Sequence, residues 1–214
     1  PVDSVWADPS RLVTALDRVP ELAKLLELDA RVLARRIQER SDKEFLYLKR
    51  HVTPELAARV MDLQLPGVSL QREYRRFYPA GEVAAHVVGF TNIDDHGQEG
   101  VELAYDDWLR GEPGAKRVIK DRLGRVIEDV ESIRAPQPGR PLTLSIDRRL
   151  QYLAYRELKA AVQEQGARGG SLVLLDAATG EVLAMVNQPA YNPNNRTEIN
   201  PQSLRNRAVT DVYE

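Results

Sequence analysis

The stretch SLVLLDAATGEVLAMV, residues 171–186, contains two apolar runs that are joined by the turn sequence DAATG. Each run, 171–175 and 181–186, predicts a β-strand, because short apolar runs bounded by turn residues are typical of strands. Nearly every position in both runs is apolar, so the pattern predicts a hairpin that is buried on both faces. The residues that follow cannot cover both faces, and we therefore expect this sequence to be a piece of a longer protein.

The residues before this hairpin predict a strand and one long helix. Residues 142–146 are predicted as a strand, and Asp147 is the expected N-cap of an amphipathic helix that runs to about Gln165. We expect the three strands to form one sheet with the helix packed across it. The expected contacts between helix and sheet are those of Leu153 and Leu158 with Val173 and Leu183.

Residues 135–141, APQPGRP, form the clearest linker in the chain, and we place a domain boundary after residue 138. Residues 1–138 alternate short helices with strands, one of which is predicted at 68–77. Residues 116–121 and 125–130 are predicted to form a hairpin around Leu123 and Gly124. Residues 139–214 then make up the second predicted domain.

The composition excludes several classes of protein. The 214 residues include 30 Lys and Arg and 32 Asp and Glu, and the net charge of −2 disfavours general nucleic-acid binding. No cysteine is present, which excludes disulfides, thiolate metal ligands and a thiol nucleophile. The longest apolar stretch, around residues 83–90, is too short to span a bilayer.

Three local patterns are compatible with a functional site, but a simpler interpretation is favoured for each. Residues 92–97 resemble half of a calcium loop, yet residue 103, which should be Glu, is Leu, and a polar turn is favoured. Glu99 and Glu102 lie on one helical turn, so they cannot flank a glycosidic bond from opposite sides. Residues 72–78 interleave arginines with aromatics as single-strand binders do, but arginines that pair with carboxylates are favoured. The histidines have no paired spacing, so no metal site is predicted.

No self-contained nucleophilic site is present in the sequence. None of the eight serines lies in G-x-S-x-G or has a Lys three residues later, and K-T-G and S-D-N are absent. We therefore expect no catalytic residue within this chain.

Two motifs in the first predicted domain resemble the non-catalytic domain of class B penicillin-binding proteins. RRFYPAGE at 75–82, with His86 and Gly89 after it, is similar to the family motif R-x-Y-P-x-G…H-x-x-G. GQEGVE at 97–102, followed by LRG at 109–111, resembles the next motif, G-x-x-G-x-E…L-x-G. The resemblance implies structural roles for Arg76, Tyr78, Pro79, Gly81, His86, Gly89, Glu99, Gly100 and Glu102. We expect Arg76 to pair with Glu99 or Glu102.

The second predicted domain resembles the start of the same family's transpeptidase domain. Residues 170–185 are similar to its first hairpin, and residues 191–194 and 205–208 continue the match. Residues 5–9 and 207–214 suggest the division-specific FtsI type. In this family Pro-Gly-Ser-Thr-x-Lys follows at this point, so the serine nucleophile is expected just after Glu214.

The resemblance implies both a fold and an activity. The expected fold is an α+β pedestal (non-catalytic dimerisation-type) domain at 1–138, incomplete at its N-terminus, followed at 139–214 by the first strands and helix of an α/β penicillin-binding transpeptidase domain. The implied activity of the parent protein is peptidoglycan D,D-transpeptidation, which cross-links stem peptides during septal cell-wall synthesis and is the target of beta-lactams. This chain lacks the nucleophile and is expected to be inactive alone.

The resemblance also implies partners and a location. The expected partners are stem peptides, beta-lactams, a septal glycosyltransferase of the FtsW type and other division proteins, with no cofactor, no metal and no nucleic acid. The parent is expected on the periplasmic face of the bacterial inner membrane, held there by a missing N-terminal helix. The alternative is a non-catalytic scaffold or recruitment module of the cell-division machinery, although two uncovered apolar strands argue against a finished module.

Overall fold

The computed structural model describes residues 1–120, 126–195 and 200–212. They form two compact units, one made of Pro1–Arg75 with Ala115–Arg134 and the other of Arg76–Gly114 with Ala135–Glu214. The predicted turn at Leu123 and Gly124 lies outside the described residues. In the described part of the chain, no helix is long and apolar enough to cross a membrane.

The first unit is built on a three-stranded antiparallel sheet of strands β1 (Val2–Ala7), β2 (Leu46–Val52) and β3 (Val68–Glu73). The strand order is β2-β1-β3. Strand β1 pairs with β3 in continuous register from Val2 opposite Glu73 to Ala7 opposite Val68, whereas its pairing with β2 contains irregularities. The helices are α1 (Pro9–Leu12), α2 (Val19–Leu26), α3 (Ala30–Glu39) and α4 (Pro54–Asp62), with a 3-10 segment at Val13–Arg18.

The helices of this unit begin at capping residues that the sequence supplies. Asp29 accepts a hydrogen bond from the Val32 amide at the start of α3, and Thr53 accepts one from the Leu56 amide at the start of α4. The core consists of apolar side chains from the helices packed against β1. Its fully buried members include Val5, Ala7, Leu12, Leu22, Leu26, Leu33, Ile37 and Val60.

A partly buried carboxylate, that of Glu73, joins all three strands of this sheet. Glu73 accepts hydrogen bonds from Ser4 of β1, from the Tyr47 hydroxyl of β2 at 2.9 Å, and from Arg50 of β2 at 2.7 Å. Burial alone would raise the pKa of Glu73, but these hydrogen bonds outweigh it and hold the pKa at about 2. The predicted strand 68–77 ends at this residue, four positions early.

The first unit also contains a separate hairpin. Strand β4 (Ala115–Lys120) pairs antiparallel with β5 (Val126–Arg134), from Ala115 opposite Arg134 to Lys120 opposite Val126. The predicted hairpin is therefore present.

The second unit contains the predicted long helix and the hairpin that follows it. Asp147 caps α8 (Arg148–Glu164) by accepting from the amides of Arg149 and Leu150. Strand β6 (Gly170–Leu175) pairs antiparallel with β7 (Val182–Gln188). The shorter helices are α5 (Ala85–Val88), α6 (Gly100–Ala104), α7 (Asp106–Arg110), α9 (Pro201–Leu204) and α10 (Arg207–Thr210), with a 3-10 turn at Gly81–Ala84.

The prediction of a strand at residues 142–146 is wrong. This segment meets the outer edge of β7 through the Ser145 hydroxyl, which donates to Val182 O at 2.7 Å, and the Asp147 amide, which donates to Leu183 O at 2.9 Å. Further along the same edge, the Gln151 side chain pairs with both backbone groups of Met185. A strand ladder does not form because a side-chain amide occupies the groups that it would need.

The predicted contacts between helix and hairpin are also partly wrong. Leu153 and Val173 are 44% and 43% exposed. The buried face of α8 is centred one residue later, on Ala154 and Tyr155, and packs with Leu158 against the cluster that contains Ala184 and Val186. The prediction that both hairpin faces are buried holds only in part. One face packs on α8, and the other is covered near Asn187, which is 1% exposed and bonds to Ala208. Nearer the turn, Val173, Leu174 and Leu175 are exposed.

Candidate functional site

The two family-like motifs lie together in the second unit because glycines allow their backbones to touch. Gly89 has φ of +78° and Gly100 has φ of +58°. A Cβ atom on Gly89 would lie 1.8 Å from the carbonyl oxygen of Glu99, and one on Gly100 would lie 2.6 Å from that of Val87. No larger residue fits at either position. The backbone of Glu99 thus lies against Gly89, while the side chain of Glu99 is exposed.

An ion pair joins the first motif to the second. Arg76 Nε lies 3.1 Å from Oε1 of Glu102, and Arg76 Nη2 donates to Oε2 at 3.2 Å. Glu102 is only 6% exposed. Burial raises the pKa of Glu102, and the positive charge of Arg76 opposes the rise without cancelling it. Of the two partners expected for Arg76, the structure selects Glu102.

Tyr78 connects the first motif to the loop that follows β7. Its buried hydroxyl accepts a hydrogen bond from the Thr91 amide at 2.9 Å. Its backbone amide donates to Asn194 Oδ1 at 2.9 Å, and its carbonyl accepts from Asn194 Nδ2 at 2.9 Å. Asn194 therefore pairs with Tyr78 as a neighbouring strand would.

His86 connects the same motif to helix α9. Its Nε2 lies 2.8 Å from the carbonyl oxygen of Ser203, so Nε2 carries the proton and donates. Burial lowers the pKa of His86, which keeps the ring neutral. The ring meets Tyr191 edge to face at 5.2 Å, and the Tyr191 hydroxyl donates to Ala85 O at 2.9 Å. Burial raises the pKa of Tyr191.

The segment between Tyr78 and His86 is held against α8. The Tyr155 hydroxyl donates to Glu82, and Lys159 Nζ lies 3.0 Å from that hydroxyl. The hydrogen bond from Tyr155 lowers the pKa of Glu82. Gln151 of α8 donates to Val83 O at 2.7 Å. The remaining motif residues are Gly81, which opens the 3-10 turn with φ of +51°, and Pro79, which is exposed and lines a groove of about 780 Å³.

These contacts form one network of hydrogen bonds and ion pairs. Ser203 Oγ donates to Asn200 O, and Ser171 Oγ donates to Asn187, so neither hydroxyl faces a base. Within residues 1–120, 126–195 and 200–212, no group of three or more His, Asp and Glu side chains could hold a metal ion. The network ties residues 76–102 to the segments after β7.

Sequence reasoning missed several members of this network. Gln151 and Asn194 pair with the motif segment, yet neither was singled out. Gln151 gave a signal, because it is a polar residue beside the apolar positions of an amphipathic helix. Asn194 gave none beyond its place in the sequence match at 191–194.

Comparisons with known proteins match both halves of the sequence. Residues 2–144 match the family described as Penicillin-binding Protein dimerisation domain, and residues 170–214 match the Penicillin binding protein transpeptidase domain. The whole chain is 48% identical to "Peptidoglycan D,D-transpeptidase FtsI" of Escherichia coli (strain K12), of which it covers 37%. It is 42% identical to "Probable peptidoglycan D,D-transpeptidase PbpC" of Pseudomonas aeruginosa, of which it covers 38%. The chain thus spans little more than a third of the length of these relatives.

The fold is similar to that of solved penicillin-binding proteins. The structure of the complex between PBP2 and MreC from Helicobacter pylori matches with a TM-score of 0.64 and 22% identity over 90% of this chain and 39% of that one. Penicillin Binding Protein 2X from Streptococcus thermophilus matches with a TM-score of 0.53 and 18% identity over 91% of this chain and 33% of that one. At these identities the likeness concerns the fold.

Proposed function

The chain belongs to the penicillin-binding proteins that carry a dimerisation domain and a transpeptidase domain, and we propose that it is part of a serine-type peptidoglycan D,D-transpeptidase of septal cell-wall synthesis. The observation that carries the proposal is 48% identity over the whole chain to a D,D-transpeptidase named FtsI. The activity is proposed for the whole protein, because this chain matches only the opening of the transpeptidase domain.

The proposed reaction needs a nucleophile that this chain does not supply. A serine just after Glu214 attacks the D-Ala–D-Ala bond of a stem peptide while a nearby lysine takes its proton. The terminal D-Ala leaves, and the acyl group then passes to the amine of a neighbouring stem peptide. Beta-lactams acylate the same serine. No metal or organic cofactor takes part in this scheme.

The proposed role of the motif residues is to support the chain segments that precede that serine. Tyr78 pairs with Asn194, and His86 holds Ser203, at 2.8–2.9 Å. Both partners belong to the segment that leads toward the end of the chain. Arg76 and Glu102 keep the two motifs together. These contacts support the view that the motifs hold Asn194 and Ser203 in place ahead of the nucleophile.

The proposed partners are peptidoglycan stem peptides, a glycosyltransferase of the FtsW type and other division proteins. PBP2 of Helicobacter pylori, which has a similar fold, forms a complex with MreC, and this supports protein docking on such a scaffold. We place the whole protein at the periplasmic face of the inner membrane, where its substrate lies. The predicted boundary between domains at residues 138 and 139 remains part of this proposal.

Labelling with a fluorescent penicillin tests the function. The whole protein should form a covalent band, whereas the 214-residue chain should not, because acylation needs a serine with a nearby base and an oxyanion site. A matched control is the whole protein with the first serine after Glu214 replaced by alanine, which should stay unlabelled. If the whole wild-type protein is not labelled, the non-catalytic scaffold becomes the better conclusion. Labelling of the 214-residue chain would place the nucleophile among serines that we excluded.

A further inference from the structure

Three segments of the second unit meet at one buried amide side chain, that of Asn187 at the end of β7. Asn187 is 1% exposed. Its Oδ1 accepts hydrogen bonds from Ser171 Oγ at 2.7 Å and from the Ala208 backbone amide at 2.9 Å. Its Nδ2 donates to Asn206 Oδ1 at 2.9 Å. Both polar atoms of this side chain are therefore used, and they bind β6 and the start of α10 to β7.

The contact with Ala208 replaces a cap that α10 lacks. The first amides of a helix have no acceptor within the helix and are normally paired by the N-cap side chain. The N-cap residue Asn206 makes no such bond. Its side-chain Oδ1 accepts instead from Asn187 Nδ2, and its Nδ2 donates to His86 O at 3.4 Å. The start of α10 is thus fixed by a strand of the sheet and not by its own sequence.

The strand is a firm support for this contact. Asn187 is directly opposite Ser171 in the β6–β7 ladder, so its backbone position is set by paired strands. Arg207, the first residue of α10, forms an ion pair with Asp211 just after the helix, with 3.2 Å between Nη1 and Oδ2. The expected serine follows shortly after.

We propose that Asn187 is a positioning residue for the acylated serine, acting through the Ala208 amide at the start of α10. The inference rests on the proposed transpeptidase function. Misplacing a reacting group by about 1 Å can lower a rate about 100-fold, so the anchor of the preceding helix bears on catalysis as well as on stability. A leucine at this position would fill a similar volume but leave the Ala208 amide and the Asn206 side chain without their partner.

Acylation kinetics of the whole protein test this role. With a fluorescent penicillin, the Asn187→Leu variant should show a first-order acylation rate constant lowered about 10- to 100-fold, with an unchanged final labelled fraction. A residue that only stabilises the fold would lower the final fraction and leave the rate constant as it is. Thr179→Val is the matched control, because Thr179 bonds Glu181 in the turn of the same hairpin and should keep the wild-type rate constant.

A second measurement applies if Asn187→Leu fails to fold. In the wild-type whole protein, hydrogen exchange at the Ala208 amide should be slowed at least tenfold relative to an unstructured chain, although a first-turn amide has no partner within the helix. Free exchange at Ala208, or a wild-type rate constant in Asn187→Leu, overturns the inference. Failure of the wild-type protein to label at all would instead overturn the proposed function.

Discussion

Replacing Arg76 by alanine should destabilise the second unit by about 1–3 kcal/mol at neutral pH, because Glu102 loses its charged partner at 3.1 Å. Glu102 can escape the cost of an unpaired buried charge by taking up a proton. For a carboxyl with the ordinary pKa of 4.5, protonation at pH 7 costs about 3.4 kcal/mol. This cost is the upper limit of the stability that the unpaired charge can remove. The side chain of Arg76 is 38% exposed, so solvent screens the pair and the effect falls below that limit.

The size of this loss should depend on pH in a definite direction. Burial raises the pKa of Glu102 above 4.5, so the folded state holds the proton more tightly than the unfolded state, and stability from this group falls as pH rises above 4.5. Without Arg76 the pKa rises further and the window of lost stability extends toward neutral pH. The destabilisation by Arg76→Ala should therefore be small near pH 5 and larger near pH 7.5.

Urea unfolding followed by tryptophan fluorescence measures this effect in the second unit. The chain has two tryptophans, Trp6 in the first unit and Trp108 in the second, so a Trp6→Phe background makes Trp108 the reporter. Glu102→Gln is the matched variant, because it removes the charge at nearly the same volume. Combined with Arg76→Ala, it should relieve part of the loss at pH 7.5. An equal loss at both pH values, or strictly additive losses in the double variant, would refute the reasoning.

Three further predictions concern other buried or partly buried polar groups. Glu73→Gln should lower the stability of the first unit at pH 7 by up to about 3 kcal/mol. It should also remove the part of the acid sensitivity between pH 4.5 and 2 that Glu73 contributes in the wild type. Trp6 fluorescence during urea unfolding measures this, and an equal response of both proteins to acid would contradict it. His86→Leu should lower the stability of the second unit by about 1–3 kcal/mol. Burial lowers the pKa of His86, so the wild type loses stability as pH falls below 6.5, and the variant should be less acid-sensitive there. Unchanged acid sensitivity of unfolding, followed by Trp108 fluorescence, would contradict this. Asn194→Ala should cost about 1–2 kcal/mol in the same assay, since two hydrogen bonds to Tyr78 are lost, and a wild-type midpoint would exclude that pairing.

Elements that depend on local sequence were predictable. Asp147 was expected as the cap of a helix to about Gln165, and the structure has α8 at Arg148–Glu164 with that cap. The hairpin predicted at 171–175 and 181–186 is observed as β6 and β7. Capping residues, helical spacing and turn residues act over a few positions, so a single sequence carries enough information for them.

Elements that depend on distant partners were not predictable. Residues 142–146 have a strand-like pattern, but the edge of β7 that they would pair with is taken by the side chain of Gln151. The predicted strand 68–77 ends at Glu73, after which Arg76 and Tyr78 bond to residues outside the first unit's sheet. Local pattern cannot show which of two competing partners wins.

The sequence predicted the motif residues of the candidate site but not their distant partners. The family motifs identified Arg76, Tyr78 and His86, and their pairing predicted Glu102 as one of two partners. The other partners, Asn194 and Ser203, lie more than 100 residues later. No spacing rule connects positions so far apart, because they meet only when the second unit folds.

In the second unit, stabilising contacts cross the boundary between the two family matches. The dimerisation-type match ends at residue 144 and the transpeptidase match begins at residue 170, yet the buried polar groups of Tyr78 and His86 are paired with Asn194 and Ser203 on the other side of that gap. A buried polar group that loses its partner costs about 1–3 kcal/mol. Several such groups span the gap, so the two stretches stabilise each other. A change at Tyr78 or His86 is therefore expected to affect the segments around Asn194 and Ser203, although these lie more than 100 residues later.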